Sequence, residues 1–292
     1  MLRYNELLSG HTSFRIGGPA YYWAEPENIE SVLEAVSLAE DKNKRLLVVG
    51  KGTNLLVKDE GFDGVIISLA GDFEKIEKGQ GGSIKAGAGA SVSKLVKYAF
   101  EEGLGGCEFL SGIPGSLGGA IFMNAGVRAI DSPDKFEEIK DILTSLEALD
   151  LKDKKIKILD RKDVDFGYRH SGLSEKIILG ARFSLKKDKK ENIRERISAF
   201  NKKREWLAKI GFPNAGSIFK NPASNKPAGM LIESCGLKGK RIGGAEISSA
   251  HANVIMNVGK ATAKDVLSLM DLARIQVKQK FGIDLEPELK IV

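Results

Sequence analysis

Two glycine-dense stretches constrain this 292-residue chain more than any other feature. The first, GKGTNLLV (50–57), follows RLLVV, an apolar run whose length and flanking glycine predict a strand. The second, SGIPGSLGGA (111–120), gathers Gly112, Gly115, Gly118 and Gly119 around one proline. Glycine has no Cβ, so backbone N–H groups there can approach an anion or a flat ring closely. Taken alone, the first stretch reads rather as a tight structural turn, and the glycine density of the second raises the case for a ligand. Two of them, each expected after a strand and in separate parts of the chain, suit the two ends of one dinucleotide. The first lacks the GxxxxGK[ST] spacing, and no acid follows it at Rossmann distance. A hydrolytic P-loop and a standard NAD fold are therefore disfavoured.

The length suggests two or three domains. No apolar run approaches the roughly 20 residues that span a bilayer, and the polar N-terminus lacks a signal-peptide core, so a cytoplasmic protein without a membrane partner is expected. Cys107, Cys235 and three histidines match no metal-ligand spacing, so no metal is expected. The net charge of +6 suits anionic partners. The densest basic cluster, Lys186–Lys190 with Arg194, Arg196 and Lys202–Arg204, reads as a solvated helix face rather than a nucleic-acid surface. An apolar seam between subunits is not identifiable without a fold; a monomer is expected.

Further strands are predicted at 65–69, 83–89, 142–150, 155–160, 177–185 and HANVIMN (251–257). Helices are predicted from Ser91 to Glu102, from Lys189 to Lys209, over 228–236, and from Thr262, an N-cap with Asp265 three residues on. The last carries Val266, Met270, Ala273, Val277 and Phe281 as its apolar stripe. The pattern changes near residues 72 and 187, predicting parts 1–72, 73–186 and 187–283, with 284–292 returning as a strand to the earlier material.

Seven motifs occur in one order: HTSFRIGGPA, GKGTNLLV, FLSGIPGSLGGA, FGYRHS, AGSIFKNP, RIGGAEIS with AHANVIMN, and LEPELKIV. From Thr12 to Val292 the chain thereby resembles the UDP-N-acetylenolpyruvoylglucosamine reductases, the MurB-type family, in the shorter form without an added substrate-closing loop. The resemblance implies an α+β protein: an FAD-binding fold of the vanillyl-alcohol-oxidase (PCMH) type in two α/β subdomains, plus a C-terminal α+β substrate domain. It implies bound FAD, NADPH as hydride donor, and UDP-N-acetylglucosamine enolpyruvate as the substrate reduced to UDP-N-acetylmuramate for peptidoglycan synthesis. It places Gly50, Lys51, Gly52, Thr53, Asn54 and Leu55 along the FAD. Ser111, Gly112, Ile113, Pro114, Gly115, Ser116, Gly118, Gly119 and Ala120 join them. The family's catalytic arginine, serine and glutamate fall on Arg169, Ser217 and Glu288, and Tyr168, Lys220, Asn221 and His251 fall toward the substrate. The chain departs from the family at WLAKIGFPNAGS, at VRAIDSPDKF and at the SSA before HAN, all substrate or loop positions.

The chemistry suits these residues. Hydride delivery to the methylene of an enolpyruvyl ether leaves negative charge beside the carboxylate, and a guanidinium such as Arg169 offers fixed donors to it. Ser217 would then donate a proton to carbon, helped by neighbours or water. Glu288 would hydrogen-bond the forming enol if burial raises its pKa. Lys220 either assists Ser217 or binds phosphate, and Asn221 holds sugar or phosphate. Taken alone, Arg169 reads rather as a surface ion-pair residue, Ser217 as a turn residue and Glu288 as a strand-edge carboxylate; only their coincidence with the three motifs favours catalysis. His251 has flavin, substrate and purely structural readings. Cys235 reads as a small buried apolar residue, Cys107 as a core thiol or a neighbour of the flavin, and Trp23, Tyr21 and Tyr22 as core. A flavin-dependent alcohol oxidase and a non-catalytic nucleotide-sugar or RNA-binding protein are the competing readings.

Overall fold

The strands expected at 142–150 and 177–185 form the centre of a five-stranded antiparallel sheet. Leu143–Asp150 and Lys176–Ser184 pair with each other. Ile156–Asp160 lies outside the first, and Ser83–Gly87 followed by Ile76–Lys78 outside the second. The helix Val92–Glu101 starts where the Ser91 hydroxyl accepts from Lys94 N–H, and it buries Val92, Leu95, Val96 and Ala99. A second helix, Ile29–Asp41, carries a reciprocal capping box between Asn28 and Ser31. With the helix Lys190–Lys203 they enclose a core that includes Val32, Leu95, Phe109, Leu146, Phe183 and Phe200.

The computed structural model describes every residue except Pro133, Ala208, Ser224 and Asn225. The sheet and this core belong to one of two units, formed by Met1–Leu2, Ala24–Gly50 and Ile66–Arg204. The other comprises Arg3–Trp23, Lys51–Val65 and Glu205–Val292. Its core gathers Phe14, Leu56, Phe219, Leu231, Val266 and Val277. The helix Ala263–Phe281 opens with the expected Thr262–Asp265 capping box and stops at Gly282 in the left-handed conformation (φ 70°). Phe281, expected in its buried stripe, stays half-buried. The segments Arg241–Ile242, Ala245–Ile247 and Ile255–Asn257 form a three-stranded antiparallel sheet. The chain end, Lys290–Ile291, pairs in parallel with Leu55–Leu56.

Three local expectations need correction. HANVIMN is a strand only over Ile255–Asn257, because Val254 N–H turns back to the His251 carbonyl. The basic helix ends at Lys203 and continues as a 3-10 turn over Glu205–Leu207, while Ala208 lies outside the described residues. The second glycine stretch follows a 3-10 turn (Glu108–Leu110) rather than a strand. Its latter half is the helix Leu117–Phe122, capped by the Ser116 hydroxyl, which accepts from Gly119 N–H.

Candidate functional site

In the first unit Gly50, which opens the first glycine stretch, approaches Ser116 of the second. A Cβ on Gly50 would lie 2.1 Å from Ser116 Oγ, so only glycine allows this approach. Gly118 is tied back by its N–H to Ala88 O. The N–H groups of Gly112, Gly115 and Ser116 have no partner among the described residues. Donors left open in a side-chain-poor stretch fit the phosphates or ring edge of a dinucleotide such as FAD. Cys107 does not contribute: it is buried in the core, and burial, then Glu108, pushes its thiol up to about 12.

Arg169 sits at the tip of a two-residue turn closed by Gly167 N–H to His170 O and His170 N–H to Gly167 O. Its φ of +57° is unusual for a side-chain-bearing residue. Buried Asn124 holds the turn by donating to Gly167 O at 2.9 Å, and Ser171 Oγ donates to Phe122 O at 2.8 Å. The guanidinium donates to Gly126 O at 3.1 Å and lies 5.0 Å over the Tyr168 ring. Tyr168 in turn meets Phe136 edge-on at 5.9 Å.

In the second unit, Gly52 (φ +61°) is pressed so close to the His11 carbonyl that a Cβ would lie 2.0 Å from it. Asn54 Nδ2 donates to Glu288 O at 3.2 Å, and Lys290 N–H donates to Asn54 O, so the first glycine stretch splints the terminal strand. Ser217 follows Gly216, whose N–H is accepted by Asn214 Oδ1. Glu288 N–H donates to Ile218 O at 2.8 Å. The structure thus brings the segments carrying Ser217 and Glu288 side by side, although they lie far apart in sequence. Buried Asn253 clamps the same segment: its Oδ1 accepts from Phe219 N–H, its Nδ2 donates to Phe219 O, and its carbonyl accepts from Ile218 N–H.

The remaining candidates have structural partners. Lys220 is paired with Glu286 at 2.5 Å. Asn221 Oδ1 accepts from Ala228 N–H at 3.0 Å at the start of a short helix. His251 Nδ1 accepts from Asn253 N–H, and its ring stacks on Trp206 with centroids 4.3 Å apart. Burial, then the Lys238 charge, holds this imidazole below its ordinary pKa. It is therefore a neutral ring whose Nε2 carries the proton. Sequence reasoning missed Asn253 and Arg204. For Asn253 the only signal was its place in HAN; Arg204 was grouped with a solvated helix face.

Residues 20–158 match the profile of an FAD binding domain. With the fold described above, this defines a flavin-dependent oxidoreductase of the PCMH-type α+β class. Residues 208–292 match the profile described as UDP-N-acetylenolpyruvoylglucosamine reductase, C-terminal domain. The reductase of that name from Geotalea uraniireducens is 41% identical over 292 residues, covering 100% of this chain and 94% of its own. That from Caldanaerobacter subterraneus is 41% identical, covering 99% and 92%. The crystal structure of the Thermus caldophilus enzyme is similar at a TM-score of 0.84 and 36% identity, covering 100% of this chain and 99% of its own. The chain belongs to the UDP-N-acetylenolpyruvoylglucosamine reductase family.

Proposed function

We propose that this protein reduces UDP-N-acetylglucosamine enolpyruvate to UDP-N-acetylmuramate, with NADPH as hydride donor and Ser217 as proton donor to carbon. The observation that carries the reading is the Glu288–Ile218 backbone pairing, which sets two family catalytic positions on adjacent segments. Bound FAD, cradled by Gly50–Leu55 and Ser111–Ala120, supplies the hydride chemistry. Arg169 holds the substrate carboxylate and stabilises charge that builds beside it. Ser217 delivers a proton to the carbon, and Glu288 hydrogen-bonds the enol oxygen. Lys220 leaves Glu286 to meet a phosphate, Asn221 offers its amide N–H groups to the sugar, and Tyr168 and neutral His251 add donors. Parts 1–72 and 73–186 carry the flavin, and 187–283 carries the substrate. Among the described residues, no helix is long and apolar enough to cross a membrane. The enzyme is read as cytoplasmic and monomeric.

Anaerobic mixing tests this. NADPH should bleach the flavin band, and the enolpyruvyl UDP-sugar should restore it. Recovery with unrelated acceptors but not with this one would remove the assignment. Ser217→Ala should still bleach while turnover falls by about 3 kcal/mol of barrier; intact turnover would end the proton-donor role.

A further inference from the structure

Arg204 closes the helix Lys190–Lys203 and is the one basic group among three whose partners can be compared directly. Arg196 is held by Glu108 at 2.7 Å and Asp188 at 2.6 Å. Lys203 Nζ donates to Arg128 O and Ala129 O. The Arg204 side chain has no hydrogen-bond or ion-pair partner among the described residues, and its Nη1 is shielded from solvent. Burial, then the nearby Arg169 charge, brings the guanidinium down to about 10, so it stays charged at neutral pH. A guanidinium without a counter-charge, partly desolvated beside a second one, is destabilising unless an anion joins it.

The surroundings are built rather than accidental. Arg204 Cδ lies 3.4 Å from where a Cβ on Gly112 would be. One turn earlier, Asn201 Oδ1 accepts from Ser111 Oγ at 2.7 Å, fixing the end of the helix to the glycine stretch. The open N–H of Gly112 lies in that same stretch. We propose that Arg204 and Arg169 form a two-guanidinium site beside Gly112 for a carboxylate or phosphate oxyanion of a bound ligand. This rests on the reading above for the identity of the ligands, since FAD brings a diphosphate and the substrate brings both a diphosphate and a carboxylate.

The test uses full-length protein with Arg204→Met, which keeps the stem, and Arg204→Lys, which keeps the charge. Flavin content is measured first, then flavin absorbance during titration with UDP-N-acetylglucosamine and with its enolpyruvyl ether. A loss of roughly tenfold or more in affinity, the order of one charge-assisted hydrogen bond, is expected in Arg204→Met. Confined to the enolpyruvyl ether, it identifies the carboxylate; equal for both sugars, the substrate diphosphate; and release of flavin identifies the FAD diphosphate. Arg204→Lys should fall between Arg204→Met and wild type. Removal of an uncompensated cation should also raise the melting temperature of flavin-free Arg204→Met. Unchanged flavin content with unchanged affinity for both sugars overturns the proposal, as does flavin-free Arg204→Met melting below wild type. If wild-type protein ignores both sugars, the reductase reading fails, while flavin retention and flavin-free melting still judge Arg204.

Discussion

Ser217 and Arg169 are both displayed from turns, but the two turns are held in opposite ways. The Ser217 segment is locked by complementary backbone bonds: Ile218 accepts from Glu288, and Asn253 satisfies both polar groups of Phe219. Position and stability come from the same contacts. Arg169 instead occupies a left-handed backbone conformation that costs an ordinary residue about 1–2 kcal/mol. The turn's closing bonds, Asn124 and the contact with Tyr168 hold it there. One proposed catalytic position is where the chain prefers to be; the other is held against local preference, as expected where presentation of a side chain outweighs backbone comfort.

Asn253→Ala attacks the first arrangement and should have the largest effect. It leaves the Phe219 N–H and carbonyl buried without their side-chain partners, at about 1–3 kcal/mol each. A loss of about 3 kcal/mol in urea unfolding is expected, with turnover falling because the Ser217 segment shifts. If stability drops while turnover per folded molecule is unchanged, the Asn253 clamp does not position Ser217.

The second arrangement separates the two quantities. Arg169→Gly relieves the backbone but gives up the bond to Gly126 O, about 1 kcal/mol, and a half-buried cation–π contact, about 1 kcal/mol. These nearly cancel, so unfolding free energy should stay within about 1 kcal/mol of wild type. Turnover should fall about a hundredfold or more, as for loss of a charge-stabilising donor. A loss of more than about 2 kcal/mol in stability would show that the turn is not strained.

The same contrast explains what the sequence could and could not reveal. Strands at 142–150 and 177–185 and the Thr262 cap were legible because periodicity and local capping decide them. The helix Ile29–Asp41 and the strands Leu2–Leu7 and Pro19–Ala24 escaped notice, although the Asn28–Ser31 capping box left a local trace. HANVIMN has an apolar centre that suits a strand, yet its first half turns, with Asn253 bonded to Phe219 and Ile218, which are distant in sequence. Arg204 looked like any helix-face cation, since its burial beside Gly112 and Arg169 is a tertiary fact with no local signature.

The smallest predicted effect is a pH dependence that joins the Ser217 segment to His251. The folded-state pKa of His251 is depressed, first by burial and then by Lys238, with Glu233 opposing. A depressed pKa means that the unfolded chain takes up the proton more readily. Stability is therefore full above the unfolded value of about 6.5 and declines as pH falls through the folded value. Protonation at Nδ1 would also remove the acceptor that Asn253 N–H uses, loosening the residue that clamps Phe219. His251→Gln should melt with a shallower dependence on pH between 7.5 and 5 than wild type, by roughly the slope of one titrating group at most. Parallel melting curves for the two proteins across that range would show that His251 titrates alike in the folded and unfolded chains, and that its stack on Trp206 has no linkage to the serine segment.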